Sequence, residues 1–586
     1  MPDRSPCRDR SRGPPPPASY RVAGRYFECG GGEMIIPTTK KAARACVLLL
    51  PLIAFAMAGQ PQQTASQEMP VGLGAARLDR TQLPQAVNFT LVGANPLVNP
   101  AGSRMSGSGV PRGMNSALGI AKHCAYVGSR NGLQDVLIVD IADPAHPAVV
   151  GSIPGIGLSS SRELKAIEDL DLLAIGHFQV DPGSTMENPT NVPGAVNRFR
   201  FYNIADCTRP VLQTEFDLGT SVWHEFFLWR DPKNMSRILA YVSITGGDAL
   251  PDLRVLDLTD AARGVVPKQI ASFTLDPAVP ATEQVDLNDP RQRFGEDQFP
   301  FKAIDLTGRV QSRFLFGGKF GPQQPASVSN LLHSMTVSPD GTRVYMANLN
   351  AGFFLVDSSN LADEAKAKTC VANTVTRDAS SNRDPALCLR KVNPDPAARI
   401  DWHPPFNSVT HTAVAIPGKP YVLVGDERNG TTTCPWSWYR VIDISSEANP
   451  KIVGGFMLPE DRPESCRLDA SGDPKYLREF SSHQATVFAN VGFFTWYAGG
   501  LRAWDLSTPA APREAGVYVP RPPSAVQFGF RDSPDVWAWS FPVVKDGLIY
   551  FNDTRNGLFV VRYTGPRANE VPTRGVYSGD FTTLPR

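Results

Sequence analysis

The chain has 586 residues, with 58 Lys and Arg against 57 Asp and Glu, so it offers no electrostatic reason to expect nucleic acid or an anionic membrane as a partner. Its 53 prolines and 49 glycines suit a loop-rich β fold with short strands.

The first 33 residues contain RSPCRDRSRGPPPP and read as a misassigned start or a disordered leader. Gly31-Gly32-Glu33 would be encoded by a purine-rich tract of the kind that precedes a bacterial start codon, here Met34. Residues 34–58 read as a signal peptide: Lys40, Lys41 and Arg44 precede the apolar run CVLLLPLIAFAMA from Cys46, and Ala56-Met57-Ala58 supplies the small-x-small cleavage pattern. Cleavage after Ala58 is expected, giving a secreted or periplasmic protein with no lipid-bearing Cys after the site. The apolar run is too short to span a bilayer comfortably, and no other stretch approaches the roughly 20 residues a spanning helix needs. Residues 59–83 are polar and read as a disordered linker, and the 566–586 tail is similar in composition.

From residue 84 to 565 the sequence is repetitive. Six times a β-rich run ends at Asp or Asn and leads into a small polar turn: VLIVDIADPAHPAVV from Val136, FRFYNIADCTRPVL from Phe199, LRVLDLTD from Leu253, GFFLVDSSN from Gly352, YRVIDISSEANPKIV from Tyr439 and LRAWDLSTPAAPREA from Leu501. A degenerate seventh copy, GLFVVRYTGPR, starts at Gly557. The copies lie roughly 55 to 100 residues apart, which suits a four-stranded propeller blade with insertions and is too long for ankyrin or TPR units. Upstream of each copy lies a second β run, such as CAYVGSR at Cys124 and YVLVGDE at Tyr421, often preceded by a tight turn such as PDGTR at Pro339. Each blade therefore reads as strands a and b, a variable loop, strand c ending in Asp, a short turn, and strand d.

These phrases resemble the LVIVD-repeat proteins, mostly extracellular bacterial β-propellers. The likeness covers most of the mature chain and implies an all-β propeller; the seven copies set the expectation of seven four-stranded blades. Ala86 to Val92, AVNFTLV, has no motif of its own and is expected to supply the strand that the last copy lacks, closing the ring. Fold alone says little about activity.

Export leaves six cysteines in the mature chain: Cys124, Cys207, Cys370, Cys388, Cys434 and Cys466. An even number in an oxidising compartment favours disulfides, and 15 connectivities are open. Proximity favours Cys370 with Cys388 and Cys434 with Cys466, leaving Cys124 with Cys207. Thiolate metal ligation is the alternative, though no CxxC spacing is present.

Four of the eight histidines share one blade position. His224 in VWHEFFLW, His333 in LLHSMTVS, His411 in VTHTAVAI and His483 in SSHQATVF each mark the start of strand a, the innermost strand of a propeller blade. Four imidazoles are expected to face one another at the channel mouth. Asn115, Arg162 with Glu163, and Trp537 or Trp539 hold comparable positions in blades one, two and seven. Strand alternation puts the b–c and d–a loops on the same face, where most long insertions fall: 177–198, 426–438, 277–330 and 459–480. Segment 361–404 is ambiguous and reads as a c–d exception. Elaborated loops above a rigid ring are where binding and catalysis usually sit. Asp426 and Glu427 should reach this face near His411, and His403 lies close enough in sequence to join. Trp436 and Trp438 could stack on a sugar ring or peptide if exposed; packing within the loop is the alternative.

Two readings of the cluster stay open. Imidazoles with a carboxylate suit copper, zinc or iron, and the placement is similar to the selenium-binding or methanethiol-oxidase propellers, whose axial histidines are associated with a metal. Alternatively each His bonds to its neighbouring blade, as the blade histidine of WD40 proteins does. The expected function is a monomeric ligand-binding or protein-interaction module whose His-rich face takes an extracellular protein or small molecule. The alternative is a metal-dependent oxidoreductase, with copper first among the metals.

Overall fold

The computed structural model describes residues 83–179, 196–219, 221–246, 252–273, 332–348, 352–370, 388–392, 410–427, 437–461, 480–528 and 536–582. The segments read as leader, signal peptide and linker lie outside them, apart from Leu83. No described helix is long and apolar enough to cross a membrane.

The strands form seven antiparallel sheets, each built on the a–b–c–d order expected of a propeller blade. The inner strands, in blade order, are Asn115–Ala121, Ser159–Ile167, Val222–Arg230, Leu332–Val337, Thr410–Ala415, Ala485–Val487 and Val543–Lys545. Blade seven takes its outer strand from the start of the propeller, as expected: Phe89–Asn95 pairs with Gly557–Tyr563, and the ring closes. Just before it, Gln85–Val87 adds a fifth strand to the outer edge of blade six. The insertion after Asp357 in blade four runs between strands c and d, which resolves the ambiguous segment in favour of the c–d exception.

The core is distributed over the interfaces between blades. Each adjacent pair shares an apolar cluster, and the cluster containing Leu118, Ile120, Tyr550 and Val560 joins blade seven to blade one. Burying one such side chain contributes about 1.5–3 kcal/mol, so the ring is held by seven comparable seams. The PDGTR turn shows how closely blades meet. Trp229 of blade three donates its indole N–H to Pro339 O, and any Cβ on Gly341, at φ +75°, would run into its ring.

Two disulfides are present among the described residues. Cys124–Cys207 ties strand b of blade one to the c–d turn of blade two, and Cys370–Cys388 brackets the blade-four insertion. Cys434 and Cys466 lie outside the described residues.

The segment after Tyr563 departs from its compositional reading. In it Val576–Tyr577 pairs with the inner strand of blade seven. Asp580 in it pairs with the buried Lys165 Nζ at 2.7 Å, a partner that composition cannot show.

Candidate metal centre

The inner strands share an irregularity at one height. Pairing between strands a and b skips residues 116–117 in blade one, 161–162 in blade two, 224–225 in blade three, 333 in blade four and 411 in blade five. In blade six, His483 donates its backbone N–H to Thr495 O while Gln484 O accepts from Thr495 N–H, the same two-against-one arrangement. A bulge re-aims the extra side chain. Here it sits where the four histidines fall, so blades three to six each send an imidazole towards the axis.

The rings touch in sequence around the channel. Ring centroids are 4.2 Å apart for His224 and His333, 3.9 Å for His333 and His411, and 4.5 Å for His411 and His483. His333, His411 and His483 are buried. Their backbone carbonyls make the blade-to-blade contacts: Ser243 donates to His333 O, Ser334 to His411 O and Thr412 to His483 O.

Hydrogen bonds assign the tautomers of two rings. The Thr412 hydroxyl has one proton, directed to His483 O at 2.8 Å or to Gln484 Oε1 at 3.1 Å. It must therefore accept from His411 Nδ1, 2.6 Å away. His483 Nδ1 faces only an acceptor, the carbonyl of Trp539 at 2.5 Å. Both rings thus carry their proton on Nδ1 and a lone pair on Nε2, and neither Nε2 has a hydrogen-bond partner among the described residues. His333 Nδ1 likewise has none.

Carboxylates complete the cluster. His411 Nε2 is 3.5 Å from Glu427 Oε2 and 3.9 Å from Glu225 Oε1, and His333 lies within 3.9 Å of both residues. Two donor groups, each within 4.8 Å, result: Glu225–His333–His411 and His411–Glu427–His483. Glu427 is held by the Tyr497 hydroxyl, and Glu225 by Gln484 Nε2 at 2.9 Å. His224 is placed differently from the other three. Its Nε2 is 3.1 Å from Arg162 Nη2 and 2.8 Å from His333 Nε2, beside the two groups and in neither.

Burial governs the protonation of this site. It pushes His333, His411 and His483 well below the ordinary imidazole value, and neighbouring cationic groups, Arg162 among them, add to the shift. It also lifts Glu225 well above the usual carboxylate range, reinforced by the charge of Glu163. The imidazoles are therefore neutral at pH 7, the form that ligates metal.

The remaining expected site residues divide. Glu163 and Arg162 line the channel, with Glu163 Oε2 3.1 Å from Lys165 Nζ. Asp426 is buried against Arg440 at 2.6 Å, an ion pair at the base of the loop. Trp438 is 1% exposed beneath the Arg440 guanidinium, so its indole packs within the protein and offers no exposed stacking platform. His403 and Trp436 lie outside the described residues.

The repeated Asp sits at the opposite rim. In each of the six full copies its side chain, or that of Asn203, accepts the backbone N–H two residues on. This is an Asx turn that folds strand c into strand d. In blade one the phrase runs Val136–Asp140, inside residues 120–154, which the family model for the LVIVD repeat matches. The chain carries an LVIVD repeat.

No curated protein matches this chain in sequence. Solved structures similar to it include Sqt1 of Saccharomyces cerevisiae, at 10% identity over 80% of this chain and 98% of that one, with a TM-score of 0.39. Sqt1 of Chaetomium thermophilum aligns at 11% identity over 77% and 96%, TM-score 0.40, and the C-terminal WD40 domain of Sif2 at 7% over 81% and 98%, TM-score 0.38.

Glu225, Gln484, Thr412, Tyr497 and Lys165 contribute to the candidate axial site and were not singled out from the sequence. The first three directly follow a register histidine. In a regular strand successive residues face opposite ways; at a bulge both can turn inward, and this was the available signal.

Proposed function

We propose that the chain is an exported metalloprotein, in which His333, His411 and His483, with Glu427 and Glu225, hold a copper, zinc or other divalent transition-metal ion on the propeller axis. One observation carries this reading: Nδ1 of His411 and of His483 is committed to a fixed acceptor, leaving Nε2 lone pairs among buried carboxylates. Metal-bound histidines use the second ring nitrogen in this way. Donors sharing an ion at about 2.1 Å stand about 3–3.5 Å apart, close to the His411–Glu427 separation. The structural alternative accounts for less: backbone carbonyls already clasp the blades, and although the His224 ring meets Arg162 and His333 and the His483 ring meets Trp539 O, Nε2 of His411 and of His483 has no hydrogen-bond partner among the described residues.

Copper is the first expectation, since an N/O site of this kind binds Cu²⁺ most tightly among the divalent first-row ions. With a redox-active ion the protein is a metal-dependent oxidoreductase acting on a small molecule that arrives at the histidine end of the channel. The reading as an extracellular interaction module uses the same end. Export is supported by the signal-like residues 34–58 and by two disulfides that need an oxidising compartment.

Calorimetric titration of chelator-treated, untagged protein with Cu²⁺ or Zn²⁺ tests the site. A single saturating ion with Kd below about 1 µM, lost in His411→Ala, is expected. Absence of saturable binding in protein that is otherwise folded overturns the reading.

A further inference from the structure

Residues 575–582 cross the channel beneath the histidines. Val576 and Tyr577 pair with Lys545 and Val544 of blade seven. Gly579 N–H donates to Thr486 Oγ1 in blade six at 2.9 Å, and a Cβ on Gly579 would run into Ala485 O. The chain then reaches the far side: Leu228 N–H of blade three donates to Asp580 O, Phe581 bridges to Leu228, and Thr582 N–H donates to Leu228 O at 2.9 Å. Leu228 and Thr486 lie further along strand a than the bulge, so the crossing is on the a–b turn side.

Asp580 also enters the charge system of the site. Lys165 Nζ is buried between Asp580 Oδ2 at 2.7 Å and Glu163 Oε2 at 3.1 Å. Glu163 Oε1 lies 3.8 Å from Arg162 Nε, and Arg162 Nη2 is 3.1 Å from His224 Nε2. A continuous chain of charged contacts thus links the C-terminal segment to the first imidazole of the cluster. Breaking it would leave Lys165 and Glu163 buried with their charges unbalanced.

We propose that residues 575–582 are a built-in floor to the axial site, and that Asp580 is a positioning residue that holds Lys165 and Glu163 beneath Arg162. Reactants then reach the histidines from the end of the channel opposite this segment. The floor needs no bound ion, so it stands or falls separately from the metal reading.

The probe is diethyl pyrocarbonate, which carbethoxylates neutral imidazoles, applied to chelator-treated full-length protein and read residue by residue by peptide mass spectrometry. Ending the chain at Ser578 should raise the modification rates of His333, His411 and His483 tenfold or more. Asp580→Asn should raise the rate at His224 several-fold, with Asp580→Glu restoring it. Unchanged rates at all four histidines in a folded truncated protein overturn the floor, and an Asp580→Asn rate within twofold of the parent overturns the positioning role. If the truncated chain does not fold, amide exchange on the intact protein decides. Protection of Gly579 and Thr582 comparable to Leu228 is expected, and exchange within seconds contradicts it.

Discussion

His411 Nδ1 and Thr412 Oγ1 stand 2.6 Å apart, and because the hydroxyl proton is directed into blade six, the imidazole must be the donor. One side chain thereby locks a blade seam and a histidine tautomer together. Thr412→Val removes the acceptor while keeping the shape. It should weaken metal affinity 10- to 100-fold, with Thr412→Ser close to the parent, as read by competition titration with a chelator of known affinity.

Acid should destabilise the protein earlier than its carboxylates alone would require. His177 is buried, neither ring nitrogen has a partner among the described residues, and burial first, then Arg200, lower its pKa to about 3. The unfolded chain takes up this proton near pH 6.5 and the folded chain only near 3, so between those values the unfolded state binds more protons. Stability contributed by the neutral ring is complete above pH 6.5 and falls as the pH drops, by at most about 1.4 kcal/mol per pH unit. Urea midpoints at pH 7.5, 6 and 5 should decline, with a shallower slope in His177→Gln; identical slopes exclude this residue as the cause.

The inter-blade disulfide should matter more than the local one. Cys124–Cys207 closes a loop with a sequence separation of 83, against 18 for Cys370–Cys388. In the chain-entropy account the longer loop constrains the unfolded state more, and its loss costs about 2–4 kcal/mol. Replacing both Cys124 and Cys207 with Ser should lower the urea midpoint more than replacing Cys370 and Cys388. The reverse order would place the stabilisation elsewhere.

The repeated Asp should be structural alone. Asp443→Ala removes the acceptor for Ser445 N–H at the rim away from the histidines and should cost about 0.5–1.5 kcal/mol. Metal affinity should not move; a loss comparable to that of His411→Ala would mean that the two rims are coupled.

The blades, their closure and the shared His register were legible because a repeat fixes spacing and the terminal Asp marks one strand end in every copy. The bulges were not, since no residue type announces them, and with them went Glu225 and Gln484 as inward-facing partners. Cys124 and Cys207 are far apart in sequence yet meet because consecutive blades are neighbours in space, which proximity along the chain undervalues. The C-terminal floor was invisible for a different reason: Gly579 and Asp580 look like any polar tail until Ala485, Thr486 and Lys165 are placed against them. Trp438 read as a stacking candidate because aromatic clusters beside a loop look alike whether they face solvent or, as here, lie under an arginine.

The metal content of untagged protein isolated from its native compartment tests the central claim most directly. Near-stoichiometric copper, zinc or iron is expected, falling to background in His333→Ala and His411→Ala variants that keep the parent fold. Metal-free parent protein, with both variants folding as it does, would contradict a metal centre on the propeller axis.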